Sequence, residues 1–137
     1  VNSHGFMMSG EGIEIDVASE HPVVTDNKTG WKMRIVMFAV EPPRFSSDVK
    51  ELRWNRTAKA VPHPRLLANI RTKEEPAILT VLLPYKDGMP LPRVERVAPH
   101  ALRLEWANYI DLIAFGPART GEAETQGRGF VRTPRGE

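Results

Sequence analysis

Proline and glycine, twelve and ten of them, are spread through the chain instead of clustered, and they interrupt nearly every periodic stretch. Proline ends helices and cannot donate to a central sheet ladder, and glycine weakens both kinds of element, so the stretches between them stay short. This punctuation argues against long helices and for many short strands joined by turns. At 137 residues the chain has the length of one domain with one core. The expected fold is all-β: an antiparallel β-sandwich of short strands and Pro/Gly-rich loops, filling residues 1–137 as a single domain.

Within that frame, Ala77 to Gly88 (AILTVLLPYKDG) reads as the central strand, because Ile78, Thr80 and Leu82 would line one face and Leu79, Val81 and Leu83 the other. Residues 1–10 show no period and read as an entry segment. Gly12 to Val17 alternates Ile13, Ile15 and Val17 with Glu14 and Asp16, the mark of a half-solvated strand. Asp26 to Gly30 is a turn, and Trp31 to Val40 a long strand stopped by Glu41-Pro42-Pro43. In residues 44–76, Val49 to Trp54 reads as a short strand. Ala60 to Ile70, broken by Pro62 and Pro64, reads as a loop with a brief strand, and a helix over Arg65 to Ile70 is the alternative. Val94 to Val97 is a further strand, and Ala101 to Trp106 with Tyr109 to Phe115 a hairpin. Residues 118–137 are a tail or an edge strand.

Several function classes lack their motifs. There is no cysteine, hence no disulfide or thiolate site, and no G-x-S-x-G, G-x-G-x-x-G or G-x-x-x-x-G-K-[ST], hence no nucleophile elbow or nucleotide cradle. His4, His21, His63 and His100 form no ligand pair, so neither a metal nor any other cofactor is expected. No apolar run is long enough for a bilayer helix, and no membrane partner is expected. Asn27-Lys28-Thr29 and Asn55-Arg56-Thr57 match the glycosylation sequon and read as chance occurrences in turns. Asp111 interrupts an apolar strand and must find hydrogen bonds or a cation if buried; a structural partner such as an arginine is favoured over a site carboxylate. The chain begins Val1-Asn2, which reads as a piece of something larger.

Charge is more informative by position than in total. Between Arg44 and Lys73 eight basic residues face only Asp48 and Glu51, an excess of six in a chain of net charge +2. Guanidinium forks match carboxylate and sulfate geometry, and Trp54 and His63 offer flat faces to sugar rings. Arg53, Trp54, Arg56, His63 and Arg65 are therefore candidate contacts for an anionic polysaccharide. Glu74 and Glu75 follow at once and offset part of the charge, and a solvated basic loop explains the same residues as well. Nucleic acid is not expected, since base-stacking aromatics are not interleaved through the cluster.

The strand ILTVLLPY, preceded by HPRLLANI and followed by LRLEW, YIDLIAFGP and GRGFVRTPRGE, resembles the β-sandwich that lies C-terminal to the catalytic helical toroid in heparinase II/III-like polysaccharide lyases. The resemblance covers about residues 20 to 137 and rests on the pattern of strands and turns. It implies an accessory domain of a bacterial, periplasmic or secreted lyase, packed against the helical catalytic domain of its parent chain. Those enzymes cleave uronate-containing glycans, glycosaminoglycans among them, by β-elimination. The catalytic groups lie mainly on the toroid, which a chain of this length cannot hold, so none is carried onto a position here. Tyr85 and His63 are capable of acid or base work but read as structural. The alternatives are a stand-alone carbohydrate-binding module and a purely structural domain.

Overall fold

The computed structural model of the chain describes residues 2–73 and 77–136. Val1, Glu74, Glu75, Pro76 and Glu137, and the side chains of residues 2–6, lie outside what is described. Among the described residues every regular element is a strand and every paired strand is antiparallel, as the punctuation by proline and glycine implies. The strands form two compact units, Val1–Asp87 and Gly88–Glu137.

The first unit contains β1 (Asn2–Ser9), β2 (Ile13–Asp16), β3 (Val23–Asp26), β4 (Lys32–Phe38), β5 (Arg44–Leu52), β6 (Val61–Thr72) and β7 (Leu79–Tyr85). One sheet runs β2-β3-β4-β7 and the other β1-β6-β5. They pack as a sandwich: Val24 and Ile35 meet Leu66, with Ile13, Ile15, Met33, Met8 and Phe45 around them, and Met37 meets Ala68 and Ile70. The alternation of Gly12 to Val17 supplies Ile13 and Ile15 to this core, as its period requires. In the Asp26 turn the Asp26 carboxylate accepts from the Lys28 amide at 3.0 Å and Gly30 takes φ 76°, which an L side chain rarely adopts.

Two expectations about this unit are corrected. The middle strand of the β1-β6-β5 sheet is β6, twelve residues long and paired to β1 on one side and β5 on the other. It runs through the stretch read as a loop with a brief strand, with a helix over Arg65 to Ile70 as the alternative. Its prolines are accommodated because the Pro64 carbonyl accepts from the Gly10 amide at 3.4 Å, so the Pro64 nitrogen points to that same edge. There β1 has already ended, its last partner being Arg65, and Pro62 has the same parity. Both missing N–H groups therefore fall where no ladder donor is needed. By contrast β7 is an edge strand, paired among the described residues with β4 alone. Leu83 is buried, but Ile78 and Leu82 on the other face are 38% and 45% exposed. Among the described residues no β7 side chain belongs to the clusters that join the two sheets. Residues 2–9, which show no period, form β1 because β6 offers them a ladder along their whole length.

The second unit contains β8 (Arg93–Ala98), β9 (Ala101–Glu105), β10 (Tyr109–Phe115), β11 (Ala118–Arg119), β12 (Glu124–Thr125) and β13 (Arg128–Pro134). Its main sheet runs β13-β10-β9-β8, and β11 and β12 form a small hairpin. The β9–β10 hairpin is the one expected, closed by the Trp106 amide donating to the Tyr109 carbonyl at 2.9 Å. Ala101, Leu112 and Ala114 are buried against Val97, Ala98, Ala118 and Ala123, small residues that let the hairpin lie close on the sheet. Arg103 on β9 fastens the β11–β12 hairpin through Glu122 at 2.7 Å and holds Glu105 of its own strand at 2.8 Å. Asp111, 3% exposed, is forked by Arg132 at 2.7 and 2.9 Å and accepts from the Trp106 indole at 3.0 Å, the structural arginine partnership anticipated for it.

Candidate functional site on the outer face of the first sheet

Strand parity organises the basic residues. On β5, Phe45 turns into the core, so Arg44, Ser46, Asp48, Lys50 and Leu52 face outward. On β6, Leu66, Ala68 and Ile70 turn inward, so Val61, His63, Arg65, Leu67, Asn69 and Arg71 share the outward face, in register with those of β5. From Arg44 to Leu52 this face runs roughly 25–30 Å at the usual strand rise. Residues 53–60 form the connecting tip, where the Asn55 carboxamide oxygen accepts from the Thr57 amide at 3.0 Å and the Ala58 amide at 2.7 Å. This local cap holds the loop without a core of its own.

At the tip, Leu52, Arg53, Trp54 and His63 line one cleft of about 250 Å³. Three of the five candidate residues are thus brought together. Trp54 is 87% exposed, an aromatic face presented to solvent instead of packed. The His63 ring nitrogen Nδ1 lies 3.1 Å from the Val61 carbonyl. Since a carbonyl can only accept, Nδ1 carries the proton and Nε2 is left for other partners. Arg56 is exposed within the capped tip and does not line the cleft.

Arg65 differs from the others. Its guanidinium is forked by Asp48, with Nε donating at 2.6 Å, and Nη1 lies 3.7 Å from the Met7 sulfur. The Arg65 hydrogen bond holds the Asp48 carboxyl below the usual carboxylate range, and Asp48 raises Arg65 in turn. Arg65 is on the same face as His63, but its charge is already matched. Arg44 and Arg71, outside the five, line a second cleft of about 270 Å³ with Glu41, Pro42, Pro43 and Asn69 at the other end of the face. The i, i+2 spacing from His63 through Arg65, Leu67 and Asn69 to Arg71 is the sequence signal for this shared face, hidden while Pro62 and Pro64 argue for a loop.

The chemistry available is recognition of anions by guanidinium and ammonium groups, beside the indole surface of Trp54 and the His63 ring. Tyr85, the other acid–base candidate, stands on β7 with the Arg34 guanidinium 5.8 Å from its ring centroid. A larger cleft of about 380 Å³ is mostly apolar, lined by residues including Met37, Phe38, Val40 and Phe45, with Glu20 and His21 as its titratable groups. It contains none of the five candidates. Among the described residues no three His, Asp or Glu gather as a metal would need. No protein-family model matches the chain, nor does any curated protein or solved structure.

Proposed function

We propose that this chain is a non-catalytic β module that holds an anionic glycan along the outer face of β5 and β6. The observation that carries the reading is the meeting of Arg53, Trp54 and His63 in one cleft at the exposed tip, with Lys50 opposite His63 on the same face. Guanidinium and ammonium groups pair with sulfate or carboxylate, while the exposed indole covers the apolar face of a sugar ring. The setting is that of an accessory module serving a polysaccharide lyase on uronate-containing chains, in the periplasm or outside the cell. That part rests on the strand-and-turn resemblance alone.

The test is retention of the chain on immobilised heparin across a salt gradient. Arg53→Ala with Arg56→Ala, and separately Trp54→Ala, should each elute at lower salt than the parent, the first by more, because charge pairs are screened and stacking is not. Elution unchanged in both variants would sink the reading and leave the tip a solvated loop. Release of unsaturated uronate product by this chain alone would overturn its non-catalytic part.

A further inference from the structure

We propose that Arg44 and Arg71 form a second oxyanion-binding site on the same face. It takes a sulfate or carboxylate of the same linear polyanion whose other groups reach the tip; the polymer part of this inference rests on the reading above. Arg44 stands directly opposite Asn69, and Arg71 is two residues beyond Asn69 on β6. That makes the two arginines diagonal cross-strand neighbours, about 7–8 Å apart at the backbone and within reach of each other's long side chains. Both are exposed, both line the 270 Å³ cleft, and neither has an ion pair among the described residues. Like charges at such positions repel, and an oxyanion between them removes the repulsion and accepts from both forks. Glu41, which lines the same cleft, opposes an incoming anion from the rim.

Spacing converts this site into a length preference. Asn69 and His63 are six residues apart on one strand, roughly 20 Å. The intervening Arg65 is matched by Asp48. The face therefore presents two separated cationic points instead of a continuous stripe. A heparin disaccharide can occupy one of them, and a long heparin chain both. Joining two weak contacts on one ligand raises the overall affinity without any new contact.

Two measurements test this on the whole chain. In a sulfate titration followed by amide NMR, Asn69 and Arg71 should shift and saturate in the parent. They should not in Arg44→Ala, and in Glu41→Gln they should saturate at lower sulfate. In the second, the long heparin chain should bind the parent about tenfold or more tighter than the disaccharide. Arg44→Ala with Arg71→Ala should abolish that gain while leaving disaccharide binding at the tip in place. Absence of saturable sulfate shifts, or long-chain affinity unchanged in the double variant while Arg53→Ala with Arg56→Ala lowers it, overturns the second site and spares the glycan reading. Saturable sulfate shifts without binding of any heparin chain do the reverse: the oxyanion site stands, and the glycan reading fails.

Discussion

Asp111 shows how a single residue can be anticipated from sequence while its partners cannot. An aspartate in YIDLIAF had to be satisfied if buried. Arg132 and Trp106 satisfy it, from 21 residues downstream and five upstream. The Arg132 guanidinium also lies 3.8 Å from the Tyr109 ring centroid, so one arginine serves as ion partner and as aromatic cover. Asp111→Ala leaves the indole N–H and the guanidinium without their acceptor and should cost about 2–4 kcal/mol in urea unfolding. An unchanged midpoint would mean that water replaces the carboxylate without loss. Asp48 gives a prediction of opposite sign. Asp48→Asn releases Arg65 to the outer face and should raise heparin affinity roughly two- to fivefold, the scale of one exposed charge pair; affinity lower than the parent's would show that Arg65 serves the ligand only when held by Asp48.

At the scale of elements, β6 and the β11–β12 hairpin depend on different forces. β6 is held by pairing on two sides and by burial of Leu66, Ala68 and Ile70 at 0–2% exposure. Leu66→Ala should cost about 2–5 kcal/mol, because tight walls relax only partly around the lost side chain; a cost near that of an exposed leucine would refute its place at the centre of the sandwich. The small hairpin is held by alanine contacts and by Arg103. Hydrogen bonds from Arg103 keep the Glu122 and Glu105 carboxyls below their usual range. A carboxyl lowered in the folded state contributes stability that is fully present above its unfolded value, about 4.3, and is lost as pH falls through the folded value. Acid should therefore loosen this hairpin, seen as lower amide protection, relative to the intrinsic exchange rate, at Thr120 and Ala123 below about pH 4. Arg103→Met should remove that pH dependence while keeping the side chain's bulk. If exchange in the variant keeps the same acid response, another group is responsible.

For the whole molecule, net charge is a poor guide and its distribution a good one. A chain of formal charge +2 carries a larger positive excess than that on one hairpin and its flanks, while Arg103, Arg119 and Arg132 in the second unit are matched by internal carboxylates. Retention on heparin should consequently fall steeply with salt and respond to Arg53 and Arg56, but not to Arg119→Ala, whose charge Glu124 already matches at 2.8 Å. Equal losses from all three substitutions would point to nonspecific attraction by net charge. The class of structure and the position of most strands and turns are legible in the residues alone. Proline spacing, the alternation in Gly12 to Val17 and the glycine closing the Asp26 turn act over a few residues and can be read there. Long-range pairing is what puts β6 between two strands and β7 at an edge, and what sets Arg44 and Arg71 on one face with Lys50 and His63. Strand pairing joins residues far apart in the chain, and a proline that would break a strand in isolation is harmless once its nitrogen points past the end of a neighbour.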